Sequence, residues 1–160
     1  MITEKLQNAI NEQITAEMWS SNLYLAMSFY MDKEGYCGMA SWLKKQAHEE
    51  HEHACELASY IIKRGGKAKL DKIDVVPNDF GTPLEVFEHV YKHEVHVSEL
   101  IDKMVDIAEA DNDHASQDFL WGFVREQVEE EATAAGIVDM VKKAGAAGVF
   151  FVDAKLGERR

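Results

Sequence analysis

Apolar residues recur along this chain with the period of an α-helix in four long stretches. Over residues 3–33, a step of 100° per residue places Leu6, Ile10, Ile14, Ser21, Tyr24, Ser28 and Met31 within about 60° of Glu17. Over 38–64 the stripe around Glu50 holds Met39, Leu43, Ala47, His53, Ala54, Leu57 and Ile61. Over 82–110, Glu94 lies among Phe87, Val90, Val97, Ile101, Met104, Val105 and Ala108. Over 114–144, Phe119, Phe123, Gln127, Glu130, Ala134, Ile137 and Val141 share a face, with Glu126 at its border and Glu129 just beyond. The punctuation agrees. Gly35 and Gly65-Gly66 suit helix ends, because glycine tolerates the left-handed conformation there. Thr82-Pro83-Leu84-Glu85 reads as a cap, a proline at the first helical position and a capping box. Asp111-Asn112-Asp113 breaks the chain and caps the fourth helix.

Residues 67–81 carry no helical period, and fifteen residues is long for a loop in a compact domain. A four-helix bundle whose second and third helices run parallel needs such a crossover. Fifteen extended residues reach about 50 Å, and a 27-residue helix is about 40 Å long, so the loop can span the bundle. Short connections near 35–37 and 111–113 join antiparallel neighbours. Gly145–Gly148 is expected to hinge into a terminal segment whose Val149-Phe150-Phe151 run is too apolar for water, and which packs on the bundle or on other subunits. The predicted fold is all-α: a four-helix bundle with a long crossover between helices two and three and a short fifth helix at 149–156, in a single domain spanning 1–160.

Composition narrows the class. The chain has 160 residues, 46% hydrophobic and 29% charged, enough for one buried core. No apolar run could span a membrane, and the polar, periodic start resembles no secretory signal, so a cytoplasmic location is expected. Cys37 and Cys55 lack CxxC spacing and are expected to be reduced thiols. A net charge of −12, from 17 basic and 29 acidic residues, argues against nucleic-acid binding. It suits a protein that attracts cations, and equally one that is merely soluble.

The chemistry lies where the stripes are interrupted. Glu50 and His53, three apart, project from one helix face and can grip one metal ion. A single buried glutamate can equally pair with a tyrosine or a lysine. The set is more telling: Glu17, Glu50 with His53, Glu94, and Gln127 with Glu130 all fall near mid-helix, so folding brings them to one level. Carboxylates crowded in a dry core repel one another and are driven to protonate. Two divalent cations would cancel that charge, and carboxylate with imidazole suits Fe(II), Mn(II) or Zn(II). Tyr24 lies two turns from Glu17 on the same face, as a core tyrosine bonded to a carboxylate, as a participant in the chemistry, or as both. His89, His93 and His96 share a different face, roughly opposite Glu94, and are expected on a solvated or subunit-contact surface. His48, Glu52 and Glu56 point away from the buried stripe.

Four segments, NEQITAEMWSSNLY (11–24), AHEEHEH (47–53), YKHE (91–94) and EQVEEE (126–131), together with the crossover, resemble the bacterial non-haem ferritins of the ferritin-like di-iron family. The resemblance covers essentially the whole chain. It implies that Glu17, Glu50 and His53 bind one iron, with Glu50 bridging to a second held by Glu94 and Glu130 beside Gln127. It implies a third iron position, where Glu49, Glu126 and Glu129 join Glu130, and a redox-active or hydrogen-bonding Tyr24. It further implies oxidation of Fe(II) by oxygen or hydrogen peroxide, storage of hydrated ferric oxide in a hollow shell of 24 subunits, a terminal helix at the fourfold axis, and a cavity lined by Glu52 and Glu56. The haem-binding relatives carry a methionine after the bridging glutamate; His51 stands there, so no haem is expected. A second Glu-x-x-His, usual in di-iron oxidases of this fold, is replaced by Gln127-x-x-Glu130. The alternatives are a soluble di-iron oxidase and a non-oxidising structural cage subunit. Asp111, Asp113, His114 and Asp118 are acidic enough to attract incoming Fe(II), or simply form a helix N-terminus favoured by its dipole.

Overall fold

The structure, a computed structural model describing residues 1–160, contains four helices and no strand: α1 (Glu4–Lys33), α2 (Cys37–Lys63), α3 (Pro83–Ala110) and α4 (His114–Leu156). Each starts where the sequence supplies a partner for its first amides. Thr3 Oγ1 accepts from Leu6 N at 3.2 Å. Thr82 Oγ1 accepts from Glu85 N while Glu85 accepts from Thr82 N at 2.7 Å, completing the expected capping box. Asp113 accepts from Ser116 N at 3.1 Å. At α2 the capping residue, Tyr36, makes no side-chain bond. The acceptor comes instead from the far end of the chain, where Asp153 Oδ1 takes the amide of Met39 at 2.7 Å.

α1 packs on α2 and α3, and α4 packs on α3 and α2, so the four helices form a square with α1 opposite α4. Cross-links give the directions. Tyr30 reaches Gly81 and Tyr24 reaches Glu94, so α1 and α3 run antiparallel. His53 reaches Glu126 and Arg64 reaches Asp113, so α2 and α4 also run antiparallel. With two short connections, α2 and α3 are therefore parallel, as the crossover demands. That crossover lies along α1 and is tied at three levels. Asn11 donates to Lys67 O (3.0 Å) and accepts from Lys69 N (2.7 Å), Trp19 Nε1 donates to Val75 O (3.3 Å), and Tyr30 OH donates to Gly81 O (2.9 Å). From Asn11 to Tyr30 is about 28 Å of helix at 1.5 Å per residue. The loop needs no secondary structure of its own, because α1 side chains take up backbone groups at Lys67, Lys69, Val75 and Gly81 and most of the remainder is exposed to water.

The apolar core is divided. Twenty buried residues, including Leu23, Met27, Leu43, Phe87 and Ile137, fill one end of the bundle. Thirteen, including Leu6, Ile10, Leu57, Ile101 and Leu120, fill the other. Truncating any of these large side chains to alanine would cost about 2–5 kcal/mol. Between the two clusters lies a polar layer.

The end of the chain keeps the expected break but moves it. Gly145, with φ of 62° and ψ of −172°, divides the helical span that ends at Leu156 into two helices, so the predicted four-residue hinge contracts to one residue and the terminal helical segment starts directly after it rather than at 149. Only glycine adopts that conformation cheaply. The segment beyond folds back on the start of α2. A Cβ on Gly38 would collide with the Asp153 carbonyl, so the two backbones touch there. Tyr36 stacks on Phe150 with ring centroids 5.4 Å apart. Phe151 stays 82% exposed, a large apolar surface the single chain does not cover.

Candidate metal centre

The layer between the two clusters holds Glu17, Glu50, His53, Glu94 and Gln127, all buried, with Glu130 half-buried at its edge. Each comes from the middle of a long helix, so the backbone on both sides is fixed by packing. Glu17, Glu50 and His53 each present a ligand atom within 4.8 Å of the others. Glu17 is 1% exposed; its Oε1 accepts from Gln13 at 2.8 Å, and its Oε2 has no hydrogen-bond partner. A buried carboxylate oxygen without a partner costs the full desolvation penalty of the group. Glu50 Oε2 lies 3.1 Å from His53 Nδ1, and Glu50 Oε1 accepts from Gln46 at 2.9 Å. Gln46 Nε2 also donates to Glu130 Oε2 at 3.1 Å, so one amide spans two carboxylates. Across the layer Glu94 Oε1 accepts from the Tyr24 hydroxyl in a short bond, and Oε2 accepts from Gln127 at 3.1 Å.

The electrostatics record the crowding. Burial, then repulsion from Glu50, raises the Glu17 carboxyl well above the usual range. Burial and the same neighbour push Glu94 up to about 8 and Glu130 up to about 7. Burial also raises the Tyr24 phenol, with Glu94 adding to it. Burial opposes ionisation of Glu50 too, but the hydrogen bond and charge of His53 overcome it and hold Glu50 low. His53 is pushed to about 11: burial favours the neutral ring, and the carboxylates of Glu126 and Glu50 on its two nitrogens outweigh it. Glu50 and His53 are thus held toward their charged forms, while Glu17, Glu94 and Glu130 are pushed toward their protonated ones. A divalent cation replaces those protons, offers a partner to Glu17 Oε2, and suits oxygen donors with a single imidazole. The residues present fit such an ion.

The predicted residues divide by position. Glu17, Tyr24, Glu50, His53, Glu94, Gln127 and Glu130 come together in this layer. Glu126 touches it from outside, 2.9 Å from His53 Nε2. That partner fixes the ring and leaves Nδ1 facing inward. Glu49 turns to Arg159 at 2.9 Å, and Glu129 is exposed. The histidine stripe is corrected in part. His96 is exposed, but His93 lies against α1, 2.7 Å from Ser20 Oγ and edge-on to Tyr24. Burial drives its imidazole down to about 4, so it is neutral. The expectation failed because α1, with Trp19, covers that face. Asp113 is held by a bidentate Arg64, and Asp111 accepts from Thr3. Cys37 and Cys55 are free and exposed.

Three supporting residues escaped sequence reading. Gln13 and Gln46 each precede a layer glutamate by four residues, a spacing at which helical side chains meet. That signal was present and could have found them. Arg159 could not have been found, since only the return of the terminal segment brings it near.

Comparison with known proteins bears on this geometry. Residues 7–144 match the family model described as Ferritin, a ferritin-like domain. The chain is 71% identical over 159 residues to a bacterial non-heme ferritin of Bacteroides fragilis, covering 99% of this chain and all of that one. A bacterial non-heme ferritin of Campylobacter jejuni is 34% identical over 148 residues, covering 92% of this chain and 89% of its own. Among solved structures, the open pore ferritin of Archaeoglobus fulgidus superposes with a TM-score of 0.98 at 40% identity, with full coverage of both chains.

Proposed function

The chain belongs to the ferritin family, and from that membership we propose that its polar layer is a ferroxidase centre serving iron storage. The observation that carries the reading is the buried, partnerless Oε2 of Glu17, set among carboxyls that burial keeps protonated. In this reading Fe(II) is the substrate. Glu17, Glu50 and His53 take one ion. Glu94 and Glu130 take a second beside Gln127, and Glu50 bridges the two. Hard carboxylate oxygens favour Fe(III) over Fe(II), which drives oxidation. Two ions held together can deliver two electrons, one each, to a single molecule of oxygen or hydrogen peroxide. Tyr24 holds Glu94 in place, and Glu126 holds His53. The two apolar clusters keep bulk water from the layer.

A third iron, held by Glu49, Glu126, Glu129 and Glu130, would let product leave the centre toward storage. The subunits would assemble as a hollow 24-mer in the cytoplasm, with Phe150 and Phe151 covered by neighbours and hydrated ferric oxide inside. A non-oxidising structural subunit is disfavoured by the complete donor set. An oxidase acting on an organic substrate is disfavoured by the second slot, Gln127-x-x-Glu130.

A crystal soaked anaerobically with Fe(II) tests the reading. Two ions are expected, both within bonding distance of Glu50; no density beside Glu17, Glu50 and His53 would overturn it. On gel filtration the protein should run as a large assembly. A monomer or dimer under all conditions removes the cage.

A further inference from the structure

We propose that Arg159, three residues beyond the end of α4 at Leu156 and far in sequence from the α2 residues it touches, is a positioning residue for that layer: it orients Gln46 and holds Glu49, so that a cation reaches Glu49 only by displacing it. The inference rests on the metal-centre reading above.

Its geometry is fixed at both ends. The terminal segment is anchored on α2 by Asp153 on the Met39 amide and by the close approach at Gly38. Met39, Trp42, Gln46 and Glu49 follow one another at helical spacing, so a chain end returning along this face meets them in order. Arg159 meets the last three. Its guanidinium carbon sits 4.6 Å from the centroid of the Trp42 ring. Nη1 donates to Trp42 O at 3.1 Å and to Gln46 Oε1 at 3.0 Å. Nη2 lies 2.9 Å from Glu49 Oε1. A planar guanidinium can do all of this at once; an ammonium cannot.

Two consequences follow for the layer. Because Arg159 claims Gln46 Oε1, the amide must turn its NH2 inward, where it donates to both Glu50 and Glu130. A donor that orients two metal-binding carboxylates is itself oriented from the chain terminus. Meanwhile Glu49, whose charge helps raise the Glu130 carboxyl, is balanced by a tethered cation. An incoming metal ion at Glu49 competes with that cation directly. Trp42, stacked on the guanidinium, reports the exchange.

The test uses the assembled, iron-free protein titrated with Zn(II), which is redox-silent, while bound ions are counted and tryptophan emission is followed. In the wild type, filling the buried layer should leave emission steady, and a further ion at Glu49 should shift it as the guanidinium leaves Trp42. In R159Q that shift should vanish and the outer ion should bind about fivefold tighter, the size expected for loss of a partly exposed ion pair. R159K should keep the competition at Glu49, and E49Q should abolish the outer ion. Outer affinity in R159Q within twofold of the wild type, or no ion at Glu49 in either protein, overturns the proposal. A wild type that binds no Zn(II) in the buried layer overturns the metal-centre reading instead, and the Glu49 isotherms still judge Arg159. Should R159Q fail to assemble, R159K against E49Q decides, the proposal falling if R159K binds the outer ion as wild type does yet shows an unchanged emission response.

Discussion

Two polar clusters are set into this bundle, and they solve the same problem in opposite ways. Where α2 ends and α4 begins, Arg64 forms a bidentate pair with Asp113 at 3.0 and 3.1 Å, and Tyr60 and Ser116 complete the network at 2.6 and 3.0 Å from Nη1. There the Arg64 partnership holds Asp113 below the usual carboxylate range in spite of burial, and Asp113 in turn raises the guanidinium. Every charge has its counter-charge within the chain. In the mid-bundle layer, several carboxyls face one imidazole, most are raised, and one oxygen has no partner. A network whose pKa values move toward the charged forms is complete. One whose values move toward the neutral forms lacks a cation. The first cluster therefore reads as a clasp between helix ends, and the second as a place for metal.

The largest expected effect lies in the layer. If the layer is the proposed ferroxidase centre, Glu50→Ala should slow Fe(II) oxidation about 100-fold or more, since it removes the proposed bridge between two ions, while leaving the assembly intact. Ultraviolet absorbance after mixing with Fe(II) measures the rate, and gel filtration checks the assembly. Oxidation at the wild-type rate would end the contrast.

The clasp should show the reverse. Asp113→Ala removes a helix cap and the partner of Arg64, and should cost about 2 kcal/mol of stability. Oxidation per assembled subunit should stay within twofold of the wild type. A tenfold loss of oxidation with stability unchanged would instead put Asp113 on a route for incoming iron.

Acidity separates the clusters by sign. Glu94 and Glu130 have folded values near 8 and 7, above their ordinary 4.5. Their contribution to the metal-free fold is full below about pH 4.5 and is lost as pH rises through about 7–8. Asp113 is lowered from 3.8, so its contribution is present above that value and is lost as pH falls through the folded value. Urea midpoints of the metal-free protein should therefore fall between about pH 5 and 8, and bound Zn(II) should flatten that slope. A rising midpoint over this window would contradict protonated carboxyls in the layer.

Much of this was legible before the structure. Glu17, Glu50, Glu94 and Glu130 stood out because each interrupts an apolar stripe, and a helical period is a strictly local signal. The capping box at Thr82 and Glu85 is local too. What escaped depends on neighbours distant in sequence. His93 looked solvated on its own helix, and only the packing of α1 shows otherwise. The break before the terminal helical segment was legible, but its width was not: four small residues suggested a longer hinge, whereas one glycine conformation suffices. Glu49 was expected only at a third iron position, and its ion pair with Arg159 was out of reach until the chain end returned to meet it.

The smallest effect is the most discriminating one within the layer. The Tyr24 hydroxyl donates to Glu94 and helps its carboxylate to ionise, opposing the burial that raises it. Tyr24→Phe should push Glu94 higher still, so a cation must displace a more tightly held proton. Near pH 6.5, Fe(II) oxidation should slow about fivefold, the worth of one hydrogen bond of about 1 kcal/mol. The deficit should shrink as pH rises above about 8, where Glu94 ionises without help. A tyrosine that passes electrons to the oxidant would leave a different mark. Its loss would persist at high pH, because ionising Glu94 cannot replace a redox group. Rates for the two proteins measured across this pH range decide whether Tyr24 acts through Glu94 or on the chemistry itself.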